Sequence, residues 1–342
     1  MKFAKWKDPL DLIPEIPRHP SISAENIERG YKSPLPSVCD ENTDYTLDLK
    51  ERAILVLNQY KPSTESDDDT AKVLGTFIDY LPSEGQVVLM QEINDYADDP
   101  KRLRQLRNFM VDAILKPMKV AGAQSPHVPR VPHSEFENEM DKDQSELRQQ
   151  CLKRDNNRCV LRGIVDYEQD MAPDQCEDVL GGPIQCAHIL PFALAQFDEK
   201  KATKARKKTV IWWALHRYSP GLKDVIQSST INQEGNVMML YQPIHAAFGD
   251  YYIALEPLEK GYYTEIRHPD VVEFVQHDPS VAMPTRVLLR VHYIIAKILE
   301  VSGVGARIDR TGDARESLIY DNIIYGSPDL GYVLAAALLV DI

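Results

Sequence analysis

Residues 185–192 read QCAHILPF, that is Gln185, Cys186, Ala187, His188, Ile189, Leu190, Pro191 and Phe192. A short apolar-rich run closed by a proline fits a buried strand, which places His188 at the strand's end. On its own, that position suits a core histidine, a metal ligand or a base. The sequence further downstream decides between them. Asn236 opens a second short apolar strand, NVMML. His245 follows nine residues after Asn236 and begins HAAF, where Phe248 can pack beneath a helix. Three elements therefore occur in order: a histidine on a strand, an asparagine in the following turn, and a histidine at a helix start.

Composition sets outer bounds on this reading. A chain of 342 residues with 43% hydrophobic and 27% charged residues suits a globular protein with one large core or two domains. The longest apolar runs, such as Val333 to Val340, fall short of the roughly 20 residues that span a bilayer, so no membrane partner is expected. The opening MKFAKWKDPLDLIPEIPRHP has prolines and acids where a secretion signal has an apolar segment. The expectation is an intracellular protein, cytoplasmic or nuclear. Five cysteines without a CxxC pair point to reduced, mostly buried thiols, with a looser cluster of Cys159, Cys176 and Cys186 as the alternative. The net charge of −13 and pI near 5.2 repel phosphate backbones but leave room for a local basic groove.

Along the chain, residues 1–45 are proline-rich and polar and read as an extended arm. Residues 46–118 read as a helical domain. Within it, Leu49, Ile54, Leu55 and Leu57 have helix-like spacing, Ser66 or a neighbouring Asp can cap the next helix, and Pro100 and Pro117 bracket another. Residues 119–133 carry three prolines and form the linker candidate. Residues 134–270 are read as the domain that holds the constellation, with a helical insertion at 193–230. Residues 271–342 form a C-terminal segment whose amphipathic helix, PTRVLLRVHYIIAKILEVSG, ends at Gly303. The fold class expected is α+β.

Around these residues the chain resembles the HNH endonuclease family. The stretches that carry the likeness are KRDNNRCVLRG (153–163), CAHILP (186–191) and NVMMLYQPIHAAFGDYYIALEP (236–257), and they look most like the fungal HNH-domain proteins. The resemblance implies a ββα-metal finger that hydrolyses DNA phosphodiesters with a divalent ion such as Mg²⁺, Mn²⁺ or Zn²⁺. It makes His188 the general base and His245 a metal ligand, while Asn236 braces the loop or orients the base. Two positions depart from the family's pattern. Ala187 stands where an acidic residue or histidine often binds the metal, and Gly249 stands where an acid often follows the phenylalanine. Asp250 and Cys186 are then the candidates to complete a shell with His245, with His216 or Glu234 in reserve.

The insertion carries a basic run, with Lys200, Lys201, Lys204, Arg206, Lys207 and Lys208 as candidate phosphate contacts. The plainer reading of that run is a solvated helix face. Trp212 and Trp213 read first as core or interface, the tyrosine pairs 251–252 and 262–263 as sheet cover, and His292 as a core histidine. Two other functions stay open at this level. One is an HNH scaffold turned to metal-free acid/base chemistry on a small molecule through His188. The other is a non-catalytic module that binds nucleic acid or protein.

Overall fold

The computed structural model describes residues 40–62, 68–123, 139–167, 181–194, 202–258, 262–265 and 271–310. In chain order, α1 is Asp40–Gln59, α2 Thr70–Tyr80, α3 Ser83–Asp95 and α4 Pro100–Met110. A π-helical segment, Val111–Leu115, leads into α5, Lys116–Ala123, and α6 is Glu139–Arg154. The strands β1 (Val165–Asp166), β2 (Gly181–Gly182) and β3 (Ile184–His188) follow, then α7, Ala202–Tyr218. Next come β4 (Val237–Tyr241), α8 (Gln242–Gly249), β5 (Leu255–Pro257), β6 (Tyr262–Glu265) and β7 (Val271–Glu273). The last elements are α9, Arg286–Ser302, and α10, Val304–Arg310. The mixture of helices with small sheets is of the α+β kind.

The chain divides into two compact units. One takes its described residues from Ala121–Ala193 and Ser229–Tyr293, the other from Lys32–Val120, Leu194–Ser228 and Ile294–Ile342. The sequence separates residues 46–118 from an insertion at 193–230, yet Leu194–Ser228 groups with Lys32–Val120 in one unit. Residues 1–39, most of the linker at 124–133, and the apolar run at 333–340 lie outside the described residues.

In the helical unit, α1 buries Leu49, Ala53 and Leu57, whereas Ile54 and Leu55 are exposed. Four-residue steps place the buried three on one stripe. Asp99 caps α4 by accepting from Lys101 N and Arg102 N, with Pro100 in the first turn. Asp68 accepts from Thr70 N at the start of α2, at 3.1 Å, and Ser66 lies outside the described residues. Asp69 gives its carboxylate to Arg107 and Arg307. Pro117 does not end its helix. The π-helical turn just before it, with Lys116 N donating to Val111 O, leaves Pro117 in the first turn of α5, where a missing N–H costs little.

The α7 helix meets α3 closely. A Cβ on Gly85 would lie 2.0 Å from Tyr218 O. Glu92 accepts from Arg217 Nη2 and Tyr218 Oη, both at 2.6 Å. Trp212 is buried and donates to Leu194 O, and Trp213 meets Phe109 edge-on with the Arg217 guanidinium over its ring.

In the other unit, β3 and β4 pair antiparallel, with Ile184 opposite Tyr241, Cys186 opposite Met239 and His188 opposite Val237. Val237, Met238, Met239 and Leu240 are each 0% exposed, so this strand is covered on both faces and reads as a continuous apolar run. Consecutive strand residues point to opposite faces. Gln185 meets His245 of α8, whereas Cys186 lies in the field of Cys151, Arg148, Arg154 and Asp155. Accordingly α8 covers one face of the pair and α6 the other. The outer edge of β4 is also engaged, because Met239 N donates to Asp155 Oδ2 and Met239 O accepts from Val160 N. Left-handed Asn156 and Asn157 turn the chain out of α6, and left-handed Gly163 closes the CVLRG loop, in which Cys159 N donates to Ile164 O. A separate antiparallel sheet has the order β5-β6-β7.

Candidate active site

No loop separates β4 from α8. Tyr241 is the N-cap residue, Pro243 lies in the first turn, and Gln242 N donates to Pro183 O. The direct strand-to-helix junction brings His245 onto β3, where its Nδ1 lies 2.8 Å from Gln185 Oε1. An amide oxygen only accepts, so Nδ1 carries the ring hydrogen and Nε2 the lone pair. That Nε2 is buried and has no hydrogen-bond partner.

His188 ends β3, and its Nε2 lies 3.1 Å from Asn232 Oδ1. By the same logic Nε2 carries the hydrogen and Nδ1 the lone pair. Phe192 flanks the ring at a centroid distance of 5.3 Å. Burial lowers the His188 pKa to about 4, against the pull of the Asn232 hydrogen bond. Burial, and then the nearby His188 charge, lowers His245 to about 4. Both rings are therefore neutral at pH 7, each with one lone pair to offer, and a proton on His188 disfavours one on His245.

Asn236 is wholly buried and its side chain is a brace. Its Oδ1 accepts from Leu190 N at 2.8 Å, and its Nδ2 donates to Leu190 O at 3.0 Å and to Ile231 O at 2.9 Å. Its backbone N donates to Gln233 O, and its backbone O accepts from Ile189 N. These bonds hold the chain just after His188 and on both sides of Asn232. Behind the strands, the fully buried Arg154 donates to Asp155 and to the carbonyls of Glu234, Val237 and Ala282. It thereby ties α6 to the turn that carries Asn236.

The other ligand candidates lie elsewhere. Among the described residues, no group of three or more His, Cys, Asp or Glu is placed to hold a metal ion, so His245, Asp250 and Cys186 do not gather into a shell. Cys186 faces α6, opposite to Gln185, and burial pushes its thiol well up, which disfavours the thiolate a metal needs. Asp250 is the C-cap residue of α8. His216, in the helical unit, faces Ile226 O at 3.4 Å, and Glu234 lies in the turn before β4. His245 fits a divalent ion as a single donor, through its unpartnered lone pair with Gln185 behind it. The described residues do not complete a group of three donors there. Lys200 and Lys201 lie outside the described residues. Lys204, Arg206, Lys207 and Lys208 fall on α7, with side chains outside the description.

His292 is a core residue, stacked between the rings of Phe248 (3.8 Å) and Tyr251 (4.4 Å), and its Nε2 donates to Phe248 O. Tyr251 is not on a strand. It follows α8 with φ 61°, a left-handed turn residue. Gln185 and Asn232 are not among the residues that the sequence singles out. The available signal was their polarity within otherwise apolar or turn segments beside the two histidines.

His188 at a strand end, Asn236 before the second strand and His245 early in the following helix stand in the order the sequence presents. Residues 159–256 match the family model described as HNH endonuclease. The match spans Cys159, His188, Asn236 and His245, so the likeness read from CAHILP and the Asn236–His245 interval is shown over that region, in a family of nucleases. No curated protein and no solved structure matches the chain.

Proposed function

We propose that the chain hydrolyses phosphodiester bonds in DNA, with His188 as general base. The observation that supports this best is that the strand end and the following strand–helix unit carry two buried, neutral histidines, each with one ring nitrogen set against an amide oxygen. In this reading the neutral His188 Nδ1 takes a proton from water as the water oxygen bonds to phosphorus. The P–O3′ bond breaks, the leaving oxygen takes a proton from solvent water, and the His188 imidazolium returns its proton to solvent, so charge and atoms balance. A pKa near 4 is low for a base at pH 7. An arriving phosphate anion raises it, because a nearby negative charge favours the protonated ring. A divalent ion on His245 Nε2 would neutralise phosphate charge and assist the leaving oxygen as a Lewis acid. His245 holds that position at the start of α8, and Asn236 keeps the loops beside His188 in place. The basic run from Lys200 to Lys208 is the sequence's candidate for phosphate contacts.

The test is cleavage of supercoiled plasmid and of single-stranded DNA with Mg²⁺, Mn²⁺, Zn²⁺ or EDTA, beside His188→Ala and His245→Ala. Loss of a general base typically costs ~10²–10⁴-fold in rate. Ion-dependent nicking that His188→Ala abolishes is the expected result. Equal activity in wild type and His188→Ala, or none in either, would sink the proposal.

A further inference from the structure

We infer that Gln185 and Asn232 are positioning residues that set opposite ring tautomers on the two site histidines, leaving Nδ1 of His188 and Nε2 of His245 as the lone-pair atoms. The inference rests on the proposed hydrolytic reading and deepens it. Gln185 Oε1 meets His245 Nδ1 at 2.8 Å, and Asn232 Oδ1 meets His188 Nε2 at 3.1 Å. A hydrogen bond to one ring nitrogen decides which nitrogen keeps its lone pair.

The choice of side chain matters. A carboxylate in either place would draw the ring toward its charged form and remove the lone pair. An amide oxygen accepts the hydrogen while the ring stays neutral. The two amides also point opposite ways around the ring. In water a neutral histidine side chain prefers the hydrogen on Nε2, so Asn232 reinforces that preference at His188. Gln185 opposes it at His245, and only by doing so does Nε2, buried and without a partner, become an acceptor.

The supports are built in. Gln185 sits on β3, opposite Leu240, with strand alternation turning its side chain toward α8. Asn232 has no such element beneath it. It is held by Asn236, which bonds Ile231 O on one side and Gln233 O on the other. Asn236 thus acts on the base through Asn232, and acts again through Leu190, two residues beyond His188.

The experiment is long-range ¹H–¹⁵N NMR at pH 7 on the full chain labelled with ¹⁵N-histidine, for wild type, Gln185→Met, Gln185→Glu and Asn232→Leu, with DNA cleavage measured in parallel. Wild type should show the hydrogen on Nδ1 of His245 and on Nε2 of His188. Gln185→Met should move the His245 hydrogen toward Nε2, and Gln185→Glu, which still accepts, should keep it on Nδ1. The His292 signals report that the fold is intact. Cleavage should fall by about 10–100-fold in Gln185→Met and Asn232→Leu, the usual cost of removing a residue behind a ligand or base. A His245 hydrogen on Nε2 in wild type would overturn the inference, as would a His245 tautomer unmoved in folded Gln185→Met. Tautomers that respond as described in a protein that cleaves no DNA would uphold it and overturn the hydrolytic reading alone.

Discussion

Asn236 holds Leu190 by both of that residue's backbone groups, accepting from its N at 2.8 Å and donating to its O at 3.0 Å. The same amide donates to Ile231 O, so one side chain closes two loops over the end of β3.

Replacing Asn236 by Leu strands the Leu190 N–H and the Leu190 and Ile231 carbonyls in a fully buried place. Each orphaned group costs about 1–3 kcal/mol, so urea denaturation should show a loss of 3 kcal/mol or more. Asn236→Asp keeps the acceptor and loses both donors, and should fall between. If either variant kept wild-type stability while losing activity, Asn236 would be a reacting group and not a brace.

Arg154 has no solvent exposure, and it serves three carbonyls and a carboxylate at once. Arg154→Met leaves Asp155 charged and buried against Met239 N, and breaking such a pair from one side costs about 3–5 kcal/mol. Arg154→Lys should recover little, since an ammonium cannot reproduce the planar fork. Thermal unfolding of the two variants checks this, and a Tm for Arg154→Lys close to wild type would refute it.

The sequence showed the parts of the site that depend on order and spacing. His188 at a strand end, Asn236 in a turn and His245 at a helix start all stand where the apolar runs and the closing proline place them. Partners were out of reach, because nothing local says that Gln185 meets His245 across 60 positions or that Asn232 meets His188 across 44. Helix stripes were only partly readable. The run around Ile54 and Leu55 offers more apolar residues than one face can bury, and Ala53 takes a place that hydrophobicity alone assigns to its neighbours. The metal shell was out of reach for a related reason, since nothing local says that Cys186 packs among Cys151, Arg148, Arg154 and Asp155.

Among the described glycines of the helical unit, Gly85 makes the tightest approach to another segment. A methyl group there would meet the carbonyl of Tyr218, which is backbone and cannot swing aside. Gly85→Ala gains helix propensity worth about 1 kcal/mol, yet must force α3 from α7 and loosen the Glu92 bonds to Arg217 and Tyr218. The net outcome should be destabilisation by about 1–3 kcal/mol, as for other overpacked sites. A more stable Gly85→Ala in chemical denaturation would show that the helices do not approach this closely.

Acid should destabilise the protein before its carboxylates begin to titrate. Burial holds His188 and His245 to about 4 and His292 to about 3, all below the unfolded value of about 6.5. Above pH 6.5 neither state binds these protons, so the neutral rings contribute their full stability there. As the pH falls below 6.5, the unfolded chain takes up protons that the folded chain refuses, and stability drops until the folded rings titrate near pH 4 and 3. Each histidine contributes a slope of up to about 1.4 kcal/mol per pH unit, and the three together about 4. Between pH 6.5 and 5, where carboxylates change little, urea midpoints should fall steadily. His292→Gln, which keeps a donor for Phe248 O, should remove up to about 1.4 kcal/mol per pH unit of a slope that His216, also lowered by burial, shares. A flat midpoint across that window would mean that the three rings take up protons as readily folded as unfolded.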